Sequence, residues 1–174
     1  NILLEAEGME GLVIGCEICE DIWVANGPGV SHAIAGATLL VNLSASNETI
    51  GKDAYREMLL KSSSARLTAG YIYCSSGEGE STQDLVFGGH DIIAENGTIL
   101  AQHKQFSSQI LYGDIDIGRI RMERRRMNTF VQDVKCNYLF IPFTLKEEET
   151  RLTRTFPCMP FVPSDRKKRE ERCG

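Results

Sequence analysis

The succession of apolar and polar segments predicts an α/β fold, and three observations carry that reading. A buried apolar run, Gly11-Leu12-Val13-Ile14-Gly15, leads directly into a turn rich in acids. Helical stretches then alternate with short apolar strands through position 74. Finally, Asn96-Gly97 between two apolar runs is the strongest short-range signal for a β-hairpin. At 174 residues the chain is long enough to bury a sizeable core.

Each element has its own local justification. Gly11 to Gly15 is a short buried strand that delivers Cys19-Glu20-Asp21 at its end. Val30 to Ala37 is helical, with the small residues Ala33, Ala35 and Ala37, and Thr38 to Asn42 is a buried strand. Asp53 is a suitable N-cap for a helix reaching about Ala69, where Gly70 stops it. Its inner stripe is expected to be Tyr55, Leu59, Ser62, Ala65 and Ala69. Tyr71 to Cys74 is a strand entering a Gly/Ser/Glu loop, Ser75 to Asp84. The hairpin pairs Asp91–Glu95 with Thr98–Ala101. Ile110 to Asp116 is expected to be a strand and Ile117 to Met127 a charged helix. Beyond them, charge runs at Lys146–Glu149 and Asp165–Arg172 flank Pro157, Pro160 and Pro163. Residues 1–150 therefore read as domain and 151–174 as a linker.

Composition narrows the function classes. A net charge of −5 gives no footprint for nucleic acid. The sequence has no apolar stretch long enough to span a membrane and no signal-peptide pattern at its start, so no membrane role is expected. Six cysteines at irregular spacing do not form a disulfide framework, and a reducing, cytoplasmic setting is expected. The basic run Arg119, Arg121, Arg124, Arg125 and Arg126 reads as a solvated helix face. The Gly77-x-Gly79 loop lacks the third glycine and the lysine of a phosphate cradle.

Cys19 is the candidate nucleophile. A thiol at the end of a buried strand, followed by a turn, is where α/β enzymes present one. The thiolate is the reactive species, and Glu20 and Asp21 alone would disfavour it by like-charge repulsion. A cation and a general base must therefore come from elsewhere. Cys16 and Cys19 also form a Cys-x-x-Cys, which leaves open a metal or redox module. Against that module, no second pair follows, and residues three apart on a strand face opposite ways. From residue type alone, Ser46 and Lys52 are surface residues.

Several motifs together resemble the nitrilase, or carbon–nitrogen hydrolase, superfamily. They are Glu17-Ile18-Cys19-Glu20-Asp21-Ile22-Trp23, Asn42-Leu43-Ser44-Ala45-Ser46 with Ile50-Gly51-Lys52, and Ser64-Ala65-Arg66. Gly77-Glu78-Gly79-Glu80-Ser81-Thr82-Gln83-Asp84-Leu85, Phe87-Gly88-Gly89-His90 and Glu123-Arg124-Arg125-Arg126-Met127 continue in register, and Pro160-Phe161-Val162-Pro163 resumes it. The ordered set is most similar to the glutamine-hydrolysing domains of bacterial glutamine-dependent NAD(+) synthetases. That resemblance implies the C-terminal portion of a four-layer α-β-β-α sandwich over 1–150, and a 151–174 linker toward a synthetase domain.

The resemblance also implies a Cys-Glu-Lys triad in which Cys19 attacks a carboxamide through a glutamyl thioester. The glutamate and lysine are expected in motifs preceding the nucleophile, before Asn1, so the chain reads as a piece of a longer protein that is inactive alone. By match of motifs, Ser46 contacts glutamine, Lys52 holds its α-carboxylate where the family often carries arginine, and Glu20 receives its α-amino group. The Glu20 backbone N–H would be an oxyanion donor. Glutamine, the synthetase domain of the same parent chain with its deamido-NAD site, and further copies of the chain are the implied partners. ATP and magnesium belong to that synthetase domain; no cofactor or metal is expected in this chain. A stand-alone nitrilase-type amidase acting on another carboxamide is the alternative.

Overall fold

Strands of four to six residues, with alternating burial clearest in the central β2 and β3, build one mixed sheet. The computed structural model describes residues 1–81, 83–131, 133, 137–146, 148, 153–155, 162–163 and 165–173. In chain order the elements are β1 (Ile2–Glu7), β2 (Val13–Ile18), α1 (Pro28–Ala35), β3 (Leu39–Ser44), α2 (Lys52–Arg66), β4 (Gly70–Ser75) and β5 (Ile92–Glu95). After these come β6 (Thr98–Gln102), α3 (Ile117–Arg126), β7 (Leu139–Thr144) and α4 (Arg166–Cys173). The strand order is β6-β5-β4-β3-β2-β1-β7. β2, β3 and β4 run parallel through the α1 and α2 crossovers, while β1, β5 and β6 are joined antiparallel to their sequence neighbours. This makes a mixed α/β sheet.

The two faces of the sheet differ. Leu40, Asn42, Tyr71 and Tyr73 point toward α1 and α2 and are fully buried. With Leu60 and Ile92 they form the main core, in which each buried aliphatic side chain contributes roughly 1.5–3 kcal/mol. The opposite face carries Ile18 and Leu43, both more than half exposed, and exposed Cys16. Among the described residues its cover lies at the lower end, where Ile117 and Ile120 of α3 pack with Ile14, Leu39 and Phe143. The sheet and its helical cover supply one β-layer and one α-layer of the four-layer α-β-β-α arrangement.

Several local expectations hold. Cys19 follows directly on β2. Asn96 (φ +45°) and Gly97 (φ +83°) turn the β5–β6 hairpin with both central residues left-handed, as a type I′ turn requires. The expected charged helix forms as α3, Ile117–Arg126; its cap, not foreseen, is Asp116, which accepts from the Arg119 N–H at 2.8 Å.

Others are corrected. Residues 110–116 form no strand: Ile115 packs beside Gly70 and Leu39, and Gly113 lies against Ile93, so this segment crosses the sheet face without joining a ladder. The N-cap of α2 is the left-handed Gly51, with Asp53 in the first turn, and the helix ends at Arg66. Its buried face is Arg56, Leu60 and Ser64, one position round from the expected stripe; Tyr55, Ser62 and Ala65 face outward. The physical reason is a buried ion pair, Arg56 Nη1 to Glu48 Oε1 at 2.9 Å, which places a cation where an apolar residue was expected. Arg124 likewise leaves the solvated stripe and is buried.

β1 and β7 were not foreseen. They pair in parallel over six residues, Ile2↔Leu139 to Glu7↔Thr144. Within 151–174, Thr153 bonds the Asp114 carboxylate, Arg154 reaches Glu95 Oε2 at 2.6 Å, and Arg166–Cys173 is helical. Pro160 and Phe161 of the resumed motif lie outside the described residues, as do Cys136 and Cys158.

Candidate active site

The segment that carries Cys19, the candidate nucleophile, is a sharp strand-to-helix turn. β2 ends at Ile18, and Cys19–Ile22 is a single 3-10 turn. Cys19 has φ +49°, a left-handed conformation that costs a non-glycine residue about 1 kcal/mol or more. The surroundings hold it there. The Ile18 N–H donates to Asp21 Oδ2 at 2.8 Å, and the Trp23 N–H donates to the Glu20 carbonyl at 2.8 Å. The Cys19 carbonyl accepts from Asn42 Nδ2 at 3.3 Å, which ties the turn to β3. Asp21 therefore serves the backbone, not the thiol.

Glu17 anchors the same turn from below. Its buried carboxylate accepts from the Gly29 N–H at 2.6 Å through Oε1 and from the Tyr71 hydroxyl through Oε2. Burial and the adjacent Glu17 charge raise the Tyr71 pKa strongly, so the phenol stays protonated as a donor. Gly27 and Gly29 allow α1 to approach: a Cβ at Gly27 would sit 2.1 Å from the Asp21 carbonyl oxygen, and one at Gly29 2.4 Å from Glu17 Oε1. A carboxylate beside the N-terminus of α1 is also favoured by the helix dipole. Sequence reading missed this role of Glu17; Gly27-Pro28-Gly29 was the available signal.

A groove of about 480 Å³ opens beside Cys19 on the uncovered sheet face. Ile18, Leu43, Ser44, Cys74, Ser75 and Ser76 line it with the thiol. Ser44 is oriented from behind, accepting from the Tyr73 hydroxyl at 2.7 Å. Cys74 is a second thiol in the groove, and burial, then the Asp91 carboxylate, push its pKa up, away from reactivity. Among the described residues no carboxylate or amine lines this groove.

The other expected site residues lie around the same strand ends. Glu20 is exposed at the turn. Ser46 is buried just after β3. Lys52 Nζ donates to the Asn47 carbonyl at 2.7 Å and to Asn47 Oδ1 at 2.9 Å, and stands 5.4 Å from the Trp23 ring centroid. Lys52 thereby stands beside Trp23, at the end of the Cys19 turn. Neither Ser46 nor Lys52 is among the residues lining the groove.

Behind this region a buried network fixes the segment 86–90. Arg56 contacts Glu48 and His90 Nδ1 (3.1 Å) and lies over the Tyr73 ring. The Glu48 N–H donates to the Val86 carbonyl at 2.7 Å. Burial, followed by the Arg56 charge, lowers the His90 pKa. Among the described residues no three His, Cys, Asp or Glu side chains are grouped to hold a metal ion, and no helix is long and apolar enough to cross a membrane.

Known proteins share this arrangement. The glutamine-dependent NAD(+) synthetases of Mycobacterium tuberculosis and Mycobacterium leprae are each 38% identical to this chain over 99% of its length. That of Aquifex aeolicus is 32% identical over 71% of it. The chain spans only about a quarter of the mycobacterial proteins, 27% of each. A solved glutamine-dependent NAD+ synthetase from Acinetobacter baumannii superposes with a TM-score of 0.53 at 26% identity, covering 59% of this chain and 19% of that one. Saccharomyces cerevisiae Nit3, of the nitrilase superfamily, shares the fold at 22% identity, with a TM-score of 0.56 over 67% of this chain and 42% of its own. The carbon–nitrogen hydrolase family model matches residues 4–125, from within β1 into the last turn of α3, and the chain belongs to that family.

Proposed function

We propose that this chain is the nucleophile-bearing part of the glutamine-hydrolysing region of a glutamine-dependent NAD(+) synthetase. The observation that carries the reading is Cys19, held in a left-handed turn at the end of β2 and opening onto a groove. The identity with such synthetases along nearly the whole chain supports the substrate.

In this reading the Cys19 thiolate attacks the side-chain carboxamide carbon of glutamine. The carbonyl π electrons move to oxygen, and the oxyanion meets the free N–H groups at the start of the 3-10 turn, Glu20 among them. Collapse passes the proton taken from the thiol to the amide nitrogen, which leaves as ammonia, and a glutamyl thioester remains on Cys19. Water then releases glutamate and regenerates the thiol. The base that takes and returns protons, and a lysine for the oxyanion, come from a segment laid over the uncovered sheet face. The bare groove needs both groups, since a thiol without a base is a weak nucleophile.

Glutamine's amino-acid end would extend past the groove along residues 44–47. There the third N–H of Lys52, beyond the two given to Asn47, is available to an α-carboxylate. Ser46 and the exposed Glu20 carboxylate complete the binding of that end. The ammonia serves amination of adenylated deamido-NAD in a synthetase domain of the same parent chain, reached through the 151–174 linker. ATP and magnesium act in that domain, in the cytoplasm, in an assembly of several copies.

Cys19→Ala in the full-length protein separates the two activities. Glutamine-dependent NAD synthesis is expected to be abolished while ammonia-dependent synthesis remains, because free ammonia bypasses the thioester. Glutamine-dependent synthesis at near the original rate would overturn the proposal.

A further inference from the structure

We propose that a second groove, at the far end of β2 and β3 from Cys19, binds the phosphate group of a small molecule. It measures about 560 Å³, within the usual size of small-molecule sites, and is bordered by Gly11, Thr38, Arg121, Arg124, Arg125 and Phe130. Gly11 and Thr38 precede β2 and β3, whereas Cys19 follows β2. The six residues of β2 put roughly 20 Å between the two places.

Arg124 is the core of this site. It is 6% exposed, its Nε donates to the Thr68 carbonyl at 2.9 Å, and its Nη2 donates to the carbonyls of Ala37 (2.6 Å) and Leu67 (3.1 Å). The guanidinium lies 4.7 Å from the Phe130 ring centroid. Its Nη1 is buried with no acceptor. Burial lowers the pKa to about 10, which still leaves Arg124 charged at neutral pH. Among the described residues no carboxylate pairs with it. A buried cation without a counter-charge is costly, and an oxyanion bound in the groove that Arg124 borders would supply that charge.

Two further guanidinium groups border the same groove. Arg125 is exposed and makes no ion pair among the described residues. Arg121 is threaded across Gly11, where a Cβ would stand 2.3 Å from its Cδ. Arg121 also pairs with the exposed Glu10 carboxylate, which offsets one charge. Three cations against one anion leave about two positive charges, matching a phosphate monoester more closely than a single carboxylate. The Phe130 ring and Met127 give an apolar wall for the group the phosphate carries. A nucleic acid is disfavoured by the net charge of −5.

The test is hydrogen exchange read by mass spectrometry on the full-length protein, which localises binding to peptides 9–13 and 117–130 and ignores phosphate sites elsewhere. Inorganic phosphate and phenyl phosphate are compared with chloride at matched ionic strength. Both phosphates are expected to slow exchange in these peptides, and chloride is not. Free phosphate as the ligand gives equal affinities; an ester gives tighter binding of phenyl phosphate. Arg121→Gln with Arg125→Gln, both at the rim, should weaken binding about tenfold or more, the loss expected for charge-assisted hydrogen bonds. No slowing, equal slowing in chloride, or undiminished binding in the double variant would overturn the proposal.

Discussion

Removing the Glu17 anchor should loosen the nucleophile turn, and its size can be worked from two hydrogen bonds. Glu17 is 3% exposed and accepts from the Gly29 N–H and the Tyr71 hydroxyl. Each is a bond to a carboxylate, worth about 1.5–3 kcal/mol when one partner is removed. Tyr71→Phe deletes one, for an expected loss of about 2 kcal/mol. Glu17→Ala deletes both and strands two donors, for about 3–5 kcal/mol, a large share of a typical total stability. With a urea slope of roughly 2 kcal/mol per molar, the midpoints fall by about 1 M and 2 M respectively. The assay is urea unfolding followed by Trp23, the only tryptophan of the chain, which stands at the end of the turn. The double variant should be less destabilised than the sum of the two by about 1–2 kcal/mol, because both remove the same bond. Additivity within about 0.5 kcal/mol would refute the Glu17–Tyr71 pair as a stabilising contact.

Three other predictions follow from the same geometry. His90 has a folded pKa below its unfolded 6.5, so the unfolded chain binds more protons. Its contribution is complete above pH 6.5 and is lost as pH falls through that value toward the folded pKa; His90→Gln should reduce the drop in melting temperature between pH 7.5 and pH 5.5, and an undiminished drop would exclude His90 as its source. Gly27→Ala brings a Cβ to 2.1 Å from the Asp21 carbonyl oxygen and should cost about 2 kcal/mol or more, measured by the same unfolding curve. At Asn96, φ +45°, replacement by Gly should be nearly neutral and replacement by Ala should cost about 1 kcal/mol; equal midpoints for the two would count against the type I′ turn.

What the sequence disclosed was local chemistry. Asn96-Gly97 announces its turn because the required φ angles restrict which residues fit, and the buried run before Cys19 announces a strand end. β1 and β7 were not legible, because their ladder joins residues 137 positions apart, such as Ile2 and Leu139, and Pro142 disguises the second strand. The inward face of α2 was misread for a different reason. Arg56 is a charge by composition, and Glu48, in the loop before α2, with His90, 34 positions on, makes its burial tolerable. Arg124 escaped notice in the same way, since its acceptors are the carbonyls of Ala37, Leu67 and Thr68. The apolar residues of 110–116 resembled a strand, but Ile110 and Tyr112 are exposed and Ile115 packs across the sheet.

The central claim is that Cys19 carries the glutamyl group. It is tested most directly by mixing the full-length protein with glutamine, quenching in acid, and mapping the acylated peptide by mass spectrometry. One glutamyl group is expected on Cys19, absent after hydroxylamine treatment and absent in Cys19→Ala. A glutamyl group on Cys16 or Cys74, or continued glutamine turnover by Cys19→Ala, would contradict it.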